Sequence, residues 1–297
     1  MKPSDRPPSS VEGQPSAASG AEVVRGLVAP NPGPLTLDGT RTWLVGVDRV
    51  LLIDPGPDSE EHLRNVRLSI ARRPVDGILL THAHADHSAS ASRLSREFGA
   101  PILASSPTLA RLNLPGRVLA EGDGIPVSAT GDGRSRLQVI ETPGHSADHL
   151  AFLLLPQRWL FTGDLVLGTG SSAVLHPDGR VGEYIASLRK LEALRPVRLL
   201  PGHGPEVSGA AAKLEEYRLH RLERQRQVQA AVATGNRSVS AIREAVYGDL
   251  PPGLAAAAEA SISAHLLHLA ELGIEAPEPG PGMLEESGLG RMDDEGS

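Results

Sequence analysis

The chain has no cysteine in 297 residues. That single absence excludes disulfides, thiolate metal sites and a thiol nucleophile. Aromatic residues are scarce at 3%, so a core has to be built from Leu, Val, Ile and Ala. No run approaches the roughly 18 apolar residues of a membrane span, and the N-terminal stretch holds no apolar segment of the signal-peptide kind. A cytoplasmic protein with no membrane partner is the expectation. Positive charge is short as well: 29 Lys and Arg face 36 Asp and Glu, giving a net charge of −7. Seven acids and one arginine beyond Ile274 carry −6 of this. The rest of the chain is nearly neutral and lacks the broad basic footprint of a tight nucleic-acid binder.

Residues 1–20 are rich in Pro, Ser and Gly, lack periodicity and read as a disordered tail; residues 274–297 read as an acidic disordered tail. Between them are two textures. Over residues 21–207, short apolar runs ("TWLVGV", "VLLID", "GILLT", "PILAS", "LQVIE", "AFLLL", "WLFT", "RLLP") alternate with helical segments. "SEEHLRNVRLSIA" has Ser59 as a cap and Leu63, Val66 and Ile70 on one face. "HSASASRLSREFG" reads as one helix ended by Gly99, and "GEYIASLRKLEAL" as another. This mixture predicts an α/β fold, a mixed sheet covered by helices. Over residues 209–273 the strand pattern stops and three helices suggest a small separate helical domain. The first of them, with five basic and three acidic residues in "KLEEYRLHRLERQRQ", reads as a solvated or packing helix.

The chain is rich in histidine, with 11, and three of them share "HAHADH" with an aspartate. The cluster follows the apolar run "GILL", at the C-terminal end of a buried strand, where ligand sites of layered α/β folds occur. His82 and His84 alternate and can face one point; Asp86 and His87 lie past the turn and can face another. One loop can therefore feed two metals, but each needs about four ligands. Three further candidates, His145, Asp164 and His203, each follow a strand-like run and a turn. Recurrence of strand, turn and ligand places all of them along one edge. His149 reads as a structural hydrogen-bonding residue, His265 and His268 as core or surface, and His176 as a turn residue; His62 and His220 carry no signal. Asp54, in "LLIDPGP", fits a simple Asp-Pro-Gly turn.

HxHxDH followed in order by a His, an Asp and a last His resembles the metallo-β-lactamase superfamily of hydrolases. The resemblance covers about residues 21–207 and implies an αββα sandwich with two metals. One would take His82, His84 and His145, the other Asp86, His87 and His203, with Asp164 bridging and Asp54 supporting the metal loop. It implies a water activated by the cations as nucleophile, with Asp86 orienting it as the catalytic residue. Two Zn2+ ions are implied, because His84 stands where the iron-binding branch prefers Glu; Mn2+ or Fe2+ are the alternatives. The chain further resembles the β-lactamase-like protein 2 group in "FTGDLVLGTGSSAV", "YIASLRKLEAL", "LLPGHGP" and "HLLHLAELG". That likeness extends to about residue 273 and implies a C-terminal winged-helix-like domain. The activity it implies is endoribonucleolytic cleavage of single-stranded RNA; the alternative substrate is a small acyl thioester, as in hydroxyacylglutathione hydrolases or acyl-carrier thioesterases.

Overall fold

In a computed structural model of the chain, residues 23–128, 135–251 and 253–280 are described. The expected tail 1–20 and residues 281–297 of the expected acidic tail 274–297 lie outside the described residues; at the start of that tail, Ile274 and Ala276 pack against the core of the C-terminal helices. The first sheet runs in chain order: β1 (Val24–Val28), β2 (Arg41–Val45), β3 (Val50–Ile53), β4 (Val75–Leu79), β5 (Ile102–Ala104) and β6 (Arg117–Val118). The second contains β7 (Gly124–Pro126), β8 (Arg136–Glu141), β9 (Leu150–Leu155), β10 (Trp159–Gly163) and β11 (Arg198–Pro201), ordered β11-β10-β9-β8-β7. Helices α1 (Glu60–Ile70), α2 (Ala85–Ser88), α3 (Ala91–Phe98) and α4 (Ser106–Leu112) belong to the first half of the chain. Helices α5 (Val181–Ala193), α6 (Ala210–Ala233), α7 (Val239–Tyr247) and α8 (Ala255–Glu271) belong to the second.

The period of two along β3 explains the layering. Leu51 and Ile53 face the other sheet and join Phe152, Phe161 and Leu200 in the central core. Val50 and Leu52 face outward and meet Leu63, Val66 and Ile70 of α1. Those three α1 side chains are fully buried or nearly so, worth about 1.5–3 kcal/mol each in removed apolar surface. Ser59 caps α1 by accepting the His62 N–H at 3.5 Å, as expected. On the far side, Tyr184 and Leu188 of α5 pack on Leu153, Leu160 and Leu199. The result is the expected αββα sandwich.

Several elements differ from expectation. β1, β6, β7 and α4 carry too weak a local pattern to be read from the sequence. β1 is a half-exposed edge strand with a glycine, Gly26, at its centre. The expected single helix around "HSASASRLSREFG" is two, because the chain bends at Ser90, whose hydroxyl donates to the carbonyls of Pro55 (2.9 Å) and Gly56 (3.0 Å). Asp86 and His87 therefore sit inside the first helical turn rather than in a loop. Helix α6 is a packing helix: Ala210, Leu214 and Tyr217 enter the core beneath α5, while Val228, Ala231 and Val232 enter a second core with Ile242, Ile262, Leu266 and Leu269. Among the described residues no strand follows α8, and no helix is long and apolar enough to cross a membrane.

The second core holds one titratable device. His265 is fully buried and hydrogen-bonds the Gln225 side chain at 2.6 Å. Burial, reinforced by the charges of Arg221 and Arg224, holds its pKa well below the usual histidine value. The unfolded chain protonates this ring below pH ~6.5 while the folded chain does not, so stability falls as pH drops through that value, by about 1 kcal/mol per pH unit. Chemical denaturation between pH 7 and 5.5 should show a shallower pH slope in His265→Gln than in the parent. Parallel slopes would exclude the effect, since the remaining histidines are common to both proteins.

Candidate metal centre

Strands β3 and β4 are parallel, and so are β10 and β11. Their C-terminal ends open on one edge of the sandwich, where all seven expected ligands meet. Two groups form: His82, His84, His145 and Asp164, and Asp86, His87 and His203, with the donor atoms of each group within 4.8 Å of one another. Asp164 also lies 3.3 Å from His87 Nε2 and 3.2 Å from His203 Nε2, so its carboxylate stands between the groups.

The imidazoles are oriented by what their other nitrogens touch, which fixes the tautomer. His82 Nδ1 lies 2.9 Å from Thr81 Oγ1, whose own proton goes to Asp54 Oδ2 at 2.7 Å. His145 Nδ1 donates to the Ala173 carbonyl at 2.8 Å, and His87 Nδ1 to Asp54 Oδ2 at 2.9 Å. His203 Nδ1 faces the Gly39 carbonyl at 3.3 Å. In each ring Nε2 is left to point into the centre. His84 is the exception: Nδ1 faces inward, 2.9 Å from His82 Nε2 and 3.1 Å from His145 Nε2, and Nε2 faces Asp178 at 4.0 Å.

Asp54 is therefore more than a turn residue. Its backbone is left-handed (φ 50°), a conformation Asp tolerates better than most residues, and its carboxylate holds both Thr81 and His87. Its Oδ1 also accepts the Thr81 N–H at 2.8 Å. His149 is structural, as expected. Its Nδ1 bonds Thr142 Oγ1 at 2.8 Å, and its Nε2 accepts the Asp164 N–H at 3.2 Å. Both nitrogens are spent beneath the site. Gly163 makes that approach possible: at φ 46° a Cβ there would lie 2.6 Å from His149 Nε2.

The electrostatics divide the site. Burial pushes His82 and His149 well below the ordinary histidine range and His145 to about 4, so these rings are neutral, which for His82 and His145 is the form that binds metal. Burial would lower His203 too, but Asp164 and Asp86 outweigh it and raise it to about 9. For His87 the same contest, with Asp54 added, also ends above the normal value. The carboxylates gain correspondingly: despite burial, Asp164 and Asp86 are held well below the usual carboxylate range by His87 and His203.

Sequence reading missed several supports. Thr40, fully buried, donates to Asp86 Oδ2 at 3.0 Å and accepts from Asn31 Nδ2 at 3.0 Å. Asp148 accepts from the Ala83 N–H at 3.0 Å and the Thr108 hydroxyl at 2.8 Å, bracing the ligand loop. Neither carries a spacing signal; "HSADHL" offered only an aspartate next to a histidine. We expect Thr40→Val, nearly isosteric, to lower kcat about tenfold with little change in KM, the low end of losses from removing such supports. Steady-state kinetics of the variant checks this, and an unchanged kcat would exclude the Thr40–Asp86 contact as functional.

The donor set fits divalent metal. It contains only imidazole and carboxylate, suited to Zn2+, Fe2+ or Mn2+. The lone pairs of His82 Nε2 and His145 Nε2 converge on His84 Nδ1 within 3.1 Å, an arrangement a shared cation relieves. Asp164 Oδ1 is buried without a hydrogen-bond partner.

Comparison with known proteins agrees. A family profile described as "Metallo-beta-lactamase superfamily" matches residues 35–203, and one described as "Beta-lactamase associated winged helix domain" matches residues 238–274. The chain is 30% identical over 263 residues to a "Beta-lactamase-like protein 2 homolog" of Caenorhabditis elegans, covering 86% of each chain. It is 32% identical over 249 residues to an "Atrochrysone carboxyl ACP thioesterase" of Aspergillus fumigatus, covering 78% of this chain and 76% of the relative. A "Beta-lactamase domain protein" from Burkholderia ambifaria shares the fold at a TM-score of 0.73 and 23% identity, over 89% of this chain and 91% of the other. With αββα layers, seven convergent donor side chains on one edge and these matches over most of its length, the chain belongs to the metallo-β-lactamase superfamily of hydrolases, is related to β-lactamase-like protein 2 and carries a beta-lactamase associated winged helix domain.

Proposed function

We propose that the chain is a hydrolase working with two divalent cations, Zn2+ first, with Mn2+ or Fe2+ as alternatives. His82, His84 and His145 would hold one, Asp86, His87 and His203 the other, and Asp164 both. The observation that carries this is the convergence of six imidazole and carboxylate side chains on Asp164, with the outer nitrogens of His82, His87, His145 and His203 tied to protein oxygens. Such cations, when bound, lower the pKa of a water towards neutrality and polarise the group under attack.

The chain's own residues do the rest. Asp86 stands on the open side, with about a quarter of its side chain exposed, and one oxygen fixed by Thr40. It orients the attacking water and takes its hydrogen bond at the carboxylate. Asp54 keeps His87 and the Thr81 backbone in place, so the loop does not yield as substrate enters. The buried floor of Thr142 and His149 keeps bulk water away from Asp164 from below.

For the substrate we favour an acyl thioester. A relative named as a carboxyl ACP thioesterase covers most of the chain. The arginines at the site are also already paired, Arg111 with Asp178 at 2.7 Å and Arg41 with Asp38 at 2.8 Å, which leaves little unbalanced positive charge for a polyanionic strand. Cleavage of single-stranded RNA is the second reading. Two donor groups sharing one carboxylate suit cations that hold the attacking and leaving oxygens of a phosphodiester.

Metal analysis followed by parallel assays tests both. The protein should retain two ions per chain after dialysis and hydrolyse acyl thioesters in a chelator-sensitive way, and His82→Ala should not. RNA cleavage lost in His82→Ala would move the substrate to RNA. RNA cleavage that persists in that variant would be a contaminant. Retention of fewer than one ion would overturn the proposal.

A further inference from the structure

The segment "GTGSSAV" between Asp164 and α5 is not accounted for by ligand chemistry. It runs beneath the three-histidine group, and Ser172 is its node. The Ser172 hydroxyl donates to the Asp164 carbonyl at 2.5 Å, and the next carbonyl, that of Ala173, takes the His145 Nδ1 proton. One dipeptide thus fastens two donors of one group. The Ser172 carbonyl in turn accepts from Arg221 Nη2 at 2.8 Å.

Arg221 lies in the middle of α6, at the point where that helix passes from the core beneath α5 to the core shared with α7 and α8. It is 4% exposed, and its guanidinium lies 5.0 Å from the Tyr184 ring centroid. Among the described residues no carboxylate pairs with it. A buried arginine without an acid is costly, so its retention calls for a role other than pairing. Its planar fork, held against an aromatic face, is a stiff donor. One turn further along α6, Gln225 bonds His265 of α8, and α8 also holds the chain just after the segment, through the His176 N–H on the Ala260 carbonyl at 3.1 Å. The segment is therefore clamped by the C-terminal helices.

We infer that Arg221 is a positioning residue: through the Ser172 carbonyl it fixes the peptide that orients His145 and Asp164, and so makes the three-histidine metal group depend on the C-terminal helical unit. The inference rests on the two-cation reading above. Its selectivity comes through His145, which belongs to the group of His82 and His84 alone, while the shared Asp164 keeps its own anchor on His149. The side chains of His87 and His203 are held by Asp54 and Gly39; the segment meets the His203 backbone, through the Gly168 N–H on its carbonyl at 2.9 Å, but at the end remote from Ser172.

The test is metal binding to the full chain by chelator competition with Zn2+, ion by ion. Arg221→Met keeps an apolar stem in the buried channel but removes the donor. It should weaken one of the two ions about tenfold, the scale for losing a support of a ligand, and leave the other within twofold. Arg221→Lys, which restores a cation, should recover part of the loss. Ile70→Ala loosens the core beneath α1, which the C-terminal helices do not enter, and serves as the control for general destabilisation. The inference is overturned if Arg221→Met leaves both ions at parental affinity, if both weaken equally, or if Ile70→Ala produces the same selective loss. Failure of the parent protein to bind two ions would instead remove the two-cation reading itself, so the two failures are told apart by the parent alone.

Discussion

Replacing Asp164 with alanine should lower kcat/KM by at least about 10³-fold. One oriented electrostatic group is commonly worth about 10²–10³ in rate, and Asp164 does more than one task. It lies 3.3 Å from His87 Nε2, 3.2 Å from His203 Nε2 and 3.8 Å from His145 Nε2, so it touches one or more histidines of each group. It is also the acid whose charge most directly holds His203 up at about 9. On the two-cation reading proposed above, alanine removes a ligand from both cations together and the negative charge that draws them in. Bound metal measured after dialysis should fall from two ions per chain to one or fewer, in step with activity. Retention of both ions with activity within tenfold of the parent would refute a bridging role.

The second large effect is expected from a residue with no functional group. Gly202 sits between β11 and His203, and a Cβ there would lie 2.6 Å from Asp164 Oδ1 and 2.7 Å from His87 Cε1. The backbone has no room to retreat. The Gly202 N–H is tied to the Gly163 carbonyl at 2.9 Å, and its own carbonyl accepts the Arg41 N–H at 2.7 Å. Gly202→Ala must therefore displace Asp164 or His87. A misplacement of about 1 Å costs on the order of 10²-fold in rate, and overpacking costs about 1–3 kcal/mol of stability. Kinetics and thermal melting should both register the change. Gly209→Ala, where nothing lies within 4 Å of the added Cβ, should leave both unchanged. Equal behaviour of the two variants would show that the centre yields more than its hydrogen bonds imply.

The two predictions differ in how visible their residues are in the sequence. Asp164 announces itself: a carboxylate after "WLFTG" repeats the strand, turn and ligand order of His145 and His203. Gly202 does not, because the atoms that forbid a Cβ belong to residues 38 and 115 positions earlier in the chain. Thr40 is hidden for the same reason. A threonine has no spacing signature, and its contact with Asp86 spans 46 residues. The break between α2 and α3 depends on Ser90 reaching Pro55 and Gly56, which no helical periodicity can report.

By itself the sequence determined the layers and the donors. Period-two alternation forces Leu51 and Ile53 to one face and Val50 and Leu52 to the other, whatever the rest of the chain does. The absence of cysteine leaves only imidazole and carboxylate as strong ligands. These are local consequences of side-chain chemistry and backbone repeat. Only the tertiary structure decided which nitrogen of each histidine faces inward, since that depends on an oxygen brought from elsewhere: Thr81 for His82, Ala173 for His145, Asp54 for His87, Gly39 for His203. It also decided that α6, which reads from its charges as a solvated or packing helix, buries Arg221 and Gln225 and ties the helical unit to the segment behind the centre. Hydrogen bonds between distant segments exist only once packing fixes their separation, and that information is spread over the whole chain rather than written in any one stretch of it.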